Sequence, residues 1–454
     1  MIAPFALDVP TELLREMSVP GPRYTSYPTA PSFAESFGAE AFAGALGRFA
    51  ATDRPLSLYV HLPFCRSLCL FCACNVVITR KEGVAARYLD ALEREVETAA
   101  SFLGPRPRRV TQLHLGGGTP TYLTVPELER LHGMLARRFE ITGDEVAIEV
   151  DPRVTTREQL EALARLGWNR VSMGVQDFAD DVQHAINRVQ PVELTRSLVE
   201  TARGLGYRGI NVDLIYGLPL QKLETFARTV EEVVAIHPDR IALYSYAHVP
   251  WLRPGQGGFE LHKLPMPGPE EKYALFRAAV TEFGRAGYVH LGMDHFALPD
   301  DELALALDRG TLHRNFQGYT VRRADDLLGL GVSAISDLAG CYAQNEKELE
   351  RYEAAARAGR LATVRGYLLS EDDRARRRAI QTIMCGGRLP ADLARRFAAD
   401  VERLAPLERK GLVRRDPETG EVAVTPLGRV FVRNIAMVFD AYLKPGEARF
   451  SKTV

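Results

Sequence analysis

The sequence is poor in cysteine and has no excess of charge of either sign. Only six of its 454 residues are cysteine, and four of them lie in one short loop, which excludes a disulfide framework. The 57 Lys and Arg residues balance 58 Asp and Glu residues, so a general attraction to nucleic acid or anionic membranes is excluded. No uncharged apolar run is long enough to span a bilayer. The N-terminus lacks the basic start and apolar run of a signal peptide, and we expect a cytoplasmic protein.

The composition is that of a globular protein, with 46% hydrophobic and 25% charged residues. Six segments of apolar alternation are each followed by a helical stretch. This pattern predicts an α/β fold, in which a parallel sheet of about six strands rolls into a barrel or partial (β/α) barrel. The predicted strands are residues 56–63, 110–118, 145–152, 170–177, 209–219 and 240–250.

Polar side chains recur near the carboxyl ends of these strands, on the face opposite the aliphatic one. Glu149 and Asp151 share a face of the third strand, and Asn211 and Asp213 share a face of the fifth. A barrel places its active site at the carboxyl ends of its strands, so we expect these side chains to line the site. The alternative, that they are solvent-facing edge residues, suits a single strand better than several in register.

The pattern predicts three parts: an N-terminal arm and helix over residues 1–50, the barrel with extensions over 51–360, and a C-terminal domain over 361–454. The last part combines helices with a hairpin that turns at 417–420, which is typical of a small winged-helix-like domain.

The basic run at 372–380 in the C-terminal domain raises the alternative of nucleic-acid binding. Acidic neighbours and the lack of a recognition-helix pattern favour a solvated helix face, and we predict no nucleic-acid partner.

The cysteine loop, residues 64–75, reads FCRSLCLFCACN and has the spacing C-x3-C-x2-C-x-C. A disulfide is disfavoured in a reducing compartment, and a zinc site normally combines two ligand pairs across a longer loop. An iron–sulfur cluster fits best, because thiolates are its usual ligands. Four thiolates would close the cluster for electron transfer only, whereas three would leave one iron open to a substrate group.

The spacing of the first three cysteines favours three ligands, Cys65, Cys69 and Cys72. The subset C-x3-C-x2-C resembles the signature of the radical S-adenosylmethionine (SAM) superfamily, which implies a [4Fe–4S] cluster. Phe71 matches the aromatic residue that this superfamily usually places before the third cysteine. Cys74 is then predicted to lie near the site without binding the cluster.

A glycine-rich segment, HLGGGTPT at residues 114–121, follows the second strand. Glycines let the backbone approach a ligand closely and leave N–H groups to bind it, although a plain turn is the commoner explanation. Glu149, Gln176 and Asp213 carry groups that can hydrogen-bond a ribose or an ammonium. A carboxylate inside a barrel is costly unless it is paired, which favours a ligand role.

Over nearly its whole length the sequence resembles one radical SAM family, the oxygen-independent coproporphyrinogen III oxidases. The segments that carry the resemblance are PGPRYTSYPTA (20–30), YVHLPFCRSLCLFCACN (59–75), LHLGGGTPTYL (113–123), EVDPR (149–153), GVQDF (174–178), INRVQ (186–190), NVDLIYGLP (211–219), YSYAHVPW (244–251), GMDHFALPDDELA (292–304), HRNFQGYT (313–320), GVSAIS (331–336) and RNIAMVFDAYL (433–443). The fourth cysteine and the RYTSYPTA arm distinguish this family from the related heme-binding chaperones, which usually lack them.

The resemblance implies a set of SAM-contacting residues and a family habit of holding two SAM molecules side by side. Which residue serves which molecule is left open. The implied SAM contacts are Tyr59, Phe71, Gly116, Gly117, Gly118, Thr119, Glu149, Gln176, Arg188, Asp213, Ala247 and Ile335.

The implied substrate is a porphyrinogen with four propionates, two of which become vinyl groups. An electron from a donor such as a flavodoxin or ferredoxin would cleave SAM at the cluster. The resulting 5′-deoxyadenosyl radical would take hydrogen from the propionate carbon β to the carboxylate, and loss of CO2 and one electron would give the vinyl. The cofactor supplies this chemistry, so no side chain is expected to act as a catalytic nucleophile. We expect a monomer.

A tetra-anionic substrate needs cations or hydrogen-bond donors around it. The candidates are Arg23, Tyr24 and Tyr27 of the arm, with His313 and Arg314. The alternative is that Arg23 is a solvated surface charge and that the tyrosines serve packing.

Two other functions fit part of the pattern. A heme-binding chaperone on the same scaffold would bind heme without cleaving SAM, but Cys74 and the arm argue against it. A plain electron-transfer protein would use all four cysteines of the loop as ligands. A Cys74→Ser variant separates this last possibility from a three-ligand enzyme.

Overall fold

Strands and helices alternate through most of the chain. The structure, a computed structural model, describes residues 8–251, 253–321, 326–444 and 450–453. Its strands are β1 (Leu56–Leu62), β2 (Phe64–Cys65), β3 (Val77–Ile78), β4 (Arg108–Gly117), β5 (Phe139–Val150), β6 (Arg170–Gln176), β7 (Gly209–Tyr216), β8 (Arg240–Ser245), β9 (Val289–Gly292), β10 (His295–Ala297), β11 (His313–Asn315), β12 (Gly318–Thr320), β13 (Leu327–Leu330), β14 (Ile335–Leu338), β15 (Cys341–Asn345), β16 (Thr363–Leu368), β17 (Arg388–Leu389), β18 (Val413–Arg415) and β19 (Val422–Val424).

The helices cover the faces of the sheet and build most of the C-terminal part. In the part of the chain that the structure describes, no helix combines the length and the apolar character that a membrane span requires, and the helices have the following bounds. They are α1 (Thr11–Met17), α2 (Ala39–Ala50), α3 (Val84–Phe102), α4 (Val125–Ala136), α5 (Arg157–Arg165), α6 (Asp180–Ala185), α7 (Val192–Gly204), α8 (Leu223–Ile236), α9 (Gly257–Leu261), α10 (Pro269–Arg285), α11 (Glu302–Asp308), α12 (Leu349–Arg357), α13 (Glu371–Gly386), α14 (Ala391–Arg396), α15 (Ala398–Glu402), α16 (Ala405–Arg409) and α17 (Val432–Met437).

Twelve strands form one sheet in the order β16-β15-β14-β13-β1-β4-β5-β6-β7-β8-β10-β9. The run from β13 to β8 is parallel, and the strands at both ends are antiparallel. The predicted parallel (β/α) architecture is confirmed, but the sheet is larger than the six strands expected. The additional strands have only three to six residues. Such short segments hold too few residues for apolar and polar positions to alternate recognisably in the sequence.

The parallel register brings polar residues side by side at the carboxyl ends of the strands. Tyr59 on β1 lies opposite His114 on β4, and Glu149 on β5 lies opposite Ser172 on β6. The next strand, β7, carries Asp213 near its own carboxyl end. The predicted polar faces therefore meet at one end of the sheet.

Helices bury the aliphatic faces of the strands. Leu89, Leu92 and Val96 of α3 are fully buried in one core with Leu58 and Val60 of β1. The spacing i, i+3, i+7 places the three helix residues on one face, because an α-helix turns every 3.6 residues. Each such side chain contributes about 1.5–3 kcal/mol of burial free energy, and this core holds the sheet that carries the polar ends.

The C-terminal part joins α13 to α17 with a small sheet in the order β17-β19-β18. Strands β18 and β19 form the hairpin that the sequence predicts, and β17 adds a third strand to it. The strand β16 still pairs with β15 in the large sheet. We therefore propose that the boundary between the barrel and the C-terminal part follows Leu368, beyond the expected position at residue 360.

The N-terminal arm lies against the C-terminal part. The buried Arg433 of α17 donates hydrogen bonds to the carbonyl oxygens of Gly21 and Pro22, and Pro20 bridges to Lys452. These bonds fix the arm at the junction between the barrel and the C-terminal helices.

Candidate active site

The cysteine loop follows β1 at the carboxyl end of the sheet. It folds back on itself because β2, which contains Cys65, pairs in parallel with β3. The N–H of Thr79 donates to the carbonyl oxygen of Cys65 at the base of the loop. Cys65, Cys69 and Cys72 are half-buried and Cys74 is exposed, and all four are free thiols.

Two guanidinium groups face the Cys69 thiol. Nη2 of Arg153 lies 3.4 Å from its Sγ, and Nη1 of Arg188 lies 3.6 Å from it. Both arginines also pair with Asp151, at 2.7 and 3.1 Å, and this carboxylate fixes their positions. These contacts connect the Cys69 side chain to the end of β5, where Asp151 follows the strand.

The other predicted ligands have different neighbours. Sγ of Cys65 lies 3.4 Å from Oγ1 of Thr119, and burial raises the pKa of this thiol to about 11. The N–H of Cys74 donates to Sγ of Cys72 at 3.4 Å. Hydrogen bonds from Cys74 lower the pKa of Cys72 to about 6, although burial opposes the shift. Cys74 thus contacts the third predicted ligand.

This donor set fits an iron–sulfur cluster better than a single ion. In residues 8–251, 253–321, 326–444 and 450–453, no three His, Cys, Asp or Glu side chains are gathered closely enough to hold one metal ion. A [4Fe–4S] cluster takes thiolates on separate irons, so its ligands stand around a larger centre. Beside Cys69, the buried Nε of Arg188 has no hydrogen-bond partner among the residues that the structure describes, which leaves a donor that a bound ligand can use.

The glycine-rich segment packs tightly against its neighbours. A Cβ atom on Gly116 would lie 2.9 Å from the carboxylate of Glu149, and one on Gly117, at φ +112°, would lie 2.6 Å from the ring of His61. The N–H of Gly117 donates to Oε2 of Glu149 at 3.2 Å, and the next two N–H groups donate to backbone carbonyl oxygens. The two glycines are packed closely against their neighbours, and the N–H groups of Gly117, Gly118 and Thr119 have partners within the chain.

Glu149 is the centre of the polar group at the strand ends. Its Oε1 lies 3.0 Å from Nε2 of His114. Burial alone would raise the pKa of Glu149, but the hydrogen bond and charge of His114 hold it below the ordinary value. Asp213 accepts a hydrogen bond from Asn211 at 2.7 Å, and burial together with the charge of Glu149 raises its pKa to about 7. The site thus holds one charged carboxylate and one that titrates near neutral pH.

A cavity of about 670 Å³ opens beside these groups, a size typical of small-molecule sites. Of the residues predicted to contact SAM, Tyr59, Glu149 and Ile335 line it. The hydroxyl group of Tyr59 is 3.0 Å from Nδ1 of His61, which also lines the cavity.

The remaining predicted SAM residues lie around the same end of the barrel without lining this cavity. Phe71 packs on the apolar cluster that contains Phe259, and its carbonyl oxygen accepts a hydrogen bond from Gln256. Gln176 ends β6 in a left-handed conformation, φ +72°, and is buried. Ala247 is half-buried in the loop after β8.

Several lining residues are absent from the predicted site. Phe316 and Gln317 belong to HRNFQGYT, a segment that carries the family resemblance, so the sequence holds a signal for them. Arg253 and Lys347 also line the cavity, and no motif marks them.

The tyrosines predicted to bind substrate lie elsewhere. Tyr24 and Tyr27 are buried at the junction with the C-terminal part. The hydroxyl group of Tyr24 donates to Asp440 at 3.0 Å, and that of Tyr27 accepts from the N–H of Ala441 at 3.0 Å. Both side chains therefore have structural partners, as the packing alternative expects.

The three basic candidates also stand outside the cavity lining. Arg314 is buried over the ring of Tyr319, 4.7 Å from its centroid, and His313 is on β11. Arg23 pairs with Asp294 at 2.6 Å, and its guanidinium group stands 5.6 Å from the ring centroid of Tyr244, which is a lining residue.

Known proteins share this architecture. Residues 59–233 match the Radical SAM superfamily. The oxygen-independent coproporphyrinogen III oxidase of Escherichia coli is 45% identical over 449 residues, which cover 96% of each chain. That of Pseudomonas aeruginosa is 45% identical over 456 residues, which cover 98% of each chain. The solved structure of coproporphyrinogen III oxidase from Escherichia coli, described as a radical SAM enzyme, aligns with a TM-score of 0.88 and 44% identity, covering 96% of this chain and 99% of that chain.

The matches agree with the donor set of the cysteine loop. The loop lies inside the superfamily match, and three of its thiols have the spacing at which radical SAM proteins hold a [4Fe–4S] cluster and bind SAM. The full-length matches extend through the arm and the C-terminal part as well. On both sequence and structure, the chain belongs to the oxygen-independent coproporphyrinogen III oxidases, a family of radical SAM proteins.

Proposed function

We propose that the protein converts coproporphyrinogen III to protoporphyrinogen IX without oxygen, by oxidative decarboxylation of two propionates to vinyl groups in heme biosynthesis. The observation that carries this proposal is the cavity next to the cysteine loop, which is lined by Tyr59, Glu149 and Ile335. The chain that contains it matches a coproporphyrinogen III oxidase over 96% of its length. Radical chemistry requires such a cavity, because reactive species must be kept from side reactions.

Cys65, Cys69 and Cys72 hold the [4Fe–4S] cluster in this proposal, and Cys74 is a neighbour of Cys72 that does not bind iron. When bound, the cluster and SAM supply one-electron chemistry that removes a hydrogen atom from an unactivated carbon. Arg153 and Arg188 contact the sulfur of Cys69, and Asp151 holds both arginines in place. The rest of the chain binds SAM and the substrate, orients them and shields the reaction from side reactions.

The groups around Glu149 suit the polar ends of SAM. The methionyl ammonium is a donor, and it matches the carboxylate of Glu149 and the backbone carbonyl oxygens of the glycine-rich segment, whose N–H groups are already used. The unpartnered Nε of Arg188 matches the methionyl carboxylate. Asp213 and Tyr59 are then the candidates for the ribose hydroxyl groups.

The proposal includes a second SAM molecule. Phe71, Gln176 and Ala247 lie at the same end of the barrel but outside the lining of the main cavity. This separation supports their assignment to a second molecule beside the one that Glu149 binds.

Cations at the cavity rim suit the propionates of the substrate better than the predicted candidates do. Arg253 and Lys347 line the cavity, and Nε of Arg365 donates to Oε1 of the lining residue Gln344 at 2.6 Å. Desolvation and the charges of Arg365 and Arg253 lower the pKa of Lys347. In the described part of the chain none of them forms an ion pair, which leaves them available for carboxylates.

The deciding experiment is anaerobic reconstitution with iron and sulfide, followed by addition of SAM, dithionite and coproporphyrinogen III. We expect 5′-deoxyadenosine, methionine, CO2 and a divinyl product. Stoichiometric heme binding without SAM cleavage would instead support a chaperone and overturn the proposal.

The proposal extends to the physiological setting. A small one-electron carrier such as a flavodoxin or ferredoxin donates the electron, and the enzyme works as a cytoplasmic monomer. Size-exclusion chromatography of the reconstituted protein checks the oligomeric state, and subcellular fractionation checks the location.

A further inference from the structure

A groove on the outside of the cysteine loop is lined by four cations. It has a volume of about 780 Å³, and Arg66, Arg80, Lys81 and Arg153 contribute to its walls. Arg66, Arg80 and Lys81 are exposed. Its acidic lining residues are fewer, and the groove therefore carries a local positive charge on a chain whose net charge is −1.

Of the four groove cations, Arg153 pairs with Asp151 at 2.7 Å. Where the chain is described, Arg66, Arg80 and Lys81 form no ion pair with a carboxylate. Of the two acidic lining residues, Glu127 caps α4, where its Oε2 accepts hydrogen bonds from the N–H and hydroxyl groups of Thr124. By contrast, arginines on the nearby helix α4 and after it pair with glutamates of α3.

The groove adjoins the cluster ligands. Arg66 follows Cys65 directly in the chain, and Nε of Arg80 lies 3.4 Å from the carbonyl oxygen of Arg66. Arg153 both lines the groove and donates to Sγ of Cys69. A protein seated in the groove would therefore contact the loop that holds the cluster, and the residues that line the groove are different from those that line the cavity beside Glu149 and Ile335.

We propose that this groove is the docking surface for an acidic one-electron carrier protein, which reduces the cluster through the Cys65–Cys69 loop. The inference rests on the proposed function, since a reducible cluster must occupy the loop. Charge complementarity selects the partner: unpaired surface cations steer an acidic protein, raise its association rate by about 10–10³-fold and set its orientation. Small transient interfaces of this kind are typical of electron-transfer pairs.

The test compares two reductants on a charge-reversed groove, Arg80→Glu/Lys81→Glu. Neither residue touches the thiols, so the reconstituted variant keeps its cluster, and dithionite, a small molecule, reduces it at the wild-type rate. A reduced acidic flavodoxin and a reduced acidic ferredoxin serve as probes. At low ionic strength we expect cluster reduction by at least one of them to slow at least ~10-fold, and the difference to shrink in high salt, where exposed charges are screened.

A matched control reverses two exposed cations at other sites, Arg208→Glu/Arg309→Glu, one just before β7 at the amino end of the strands and one after α11. This control should be reduced by both carriers at the wild-type rate. Binding of each carrier to immobilised enzyme, measured by surface plasmon resonance, gives a readout that does not depend on turnover, and the groove variant alone should bind at least ~10-fold more weakly.

The outcomes separate the two proposals. Wild-type reduction rates and affinities for both carriers in the groove variant would overturn the docking surface, as would an equal loss in the control. Failure of the wild-type protein to form the divinyl product with dithionite would count against the proposed function itself.

Discussion

Nε2 of His114 and Oε1 of Glu149 lie 3.0 Å apart and form one hydrogen-bonded unit at the cavity. Because the pKa of Glu149 is held below its ordinary value, the carboxylate is charged and the imidazole nitrogen donates. We expect Glu149→Gln to weaken SAM binding, since a neutral acceptor replaces a charged one. Hydrogen bonds to charged groups contribute about 1.5–3 kcal/mol, so the affinity should fall about 10–150-fold in calorimetric titration of the reconstituted protein.

The matched control is Glu145→Gln on the same strand. Glu145 accepts a hydrogen bond from Gln112 at 2.9 Å and does not line the cavity. Its variant should bind SAM as the wild type does. If Glu149→Gln also binds SAM with unchanged affinity, Glu149 is not a SAM ligand.

The roles of Cys72 and Cys74 are distinguished by iron content. Cys74→Ser should retain a full [4Fe–4S] cluster after reconstitution, because Cys74 contacts Cys72 without serving as a ligand. Cys72→Ser should lose most of its iron, since it removes one of three thiolates. Iron and sulfide analysis per chain and electron paramagnetic resonance check both variants. A Cys74→Ser protein as poor in iron as Cys72→Ser would contradict the three-ligand assignment.

Local pattern was sufficient to predict the part of the site that lies on single strands and loops. Alternation placed Glu149 and Asp213 on the inner face, and spacing selected the cysteines, because both signals depend on near neighbours in the chain. In the structure Glu149 lines the cavity beside the cysteine loop. Asp151 and Arg153 stand in the quoted segment EVDPR, yet their contact with Cys69 requires the folded loop.

Long-range contacts were not predictable in this way. Arg253 follows β8 and Lys347 follows β15, two strands near opposite ends of the sheet order, and only the curl of the sheet brings them to one cavity. On sequence grounds Tyr24 is a candidate substrate ligand because its hydroxyl group can donate a hydrogen bond to a carboxylate. Its partner, Asp440, lies at the other end of the chain, and no local pattern connects the two.

Asp213 should make stability depend on pH. Its pKa is raised to about 7 in the folded protein by burial and by Glu149, whereas an unfolded Asp titrates near about 3.9. The folded state therefore binds the extra proton, and wild-type stability falls as the pH rises from about 4 through 7. Asparagine never ionises and still accepts from Asn211, so the melting temperature of Asp213→Asn relative to wild type should be higher at pH 8 than at pH 5.

Thermal unfolding of the cluster-free protein at these two pH values measures the effect. Asp308→Asn, an exposed position at the end of α11, is the control, and its difference from wild type should not change with pH. A difference for Asp213→Asn that is the same at both pH values would show that this carboxyl does not titrate in the range.

The rim cations should set affinity for the carboxylates of the substrate. Lys347→Met keeps the length of the side chain and removes its charge. We expect the KM for coproporphyrinogen III to rise about 5-fold with kcat retained, near the upper end for an exposed ion pair, because Lys347 is exposed to water. SAM cleavage without substrate should not change, since Lys347 is not among the residues assigned to SAM.

Binding of the oxidised porphyrins shows whether the charge of the ligand or its shape determines the affinity. The wild-type protein should bind coproporphyrin III, with four carboxylates, more tightly than protoporphyrin IX, with two, in fluorescence titrations. Lys347→Met should reduce this preference, and Lys347→Arg should restore it because the cation is retained. Lys222→Met, an exposed position that does not line the cavity, is the matched control. An undiminished preference in Lys347→Met would remove Lys347 from the substrate site and leave Arg253 and Arg365 as the remaining rim cations to be tested.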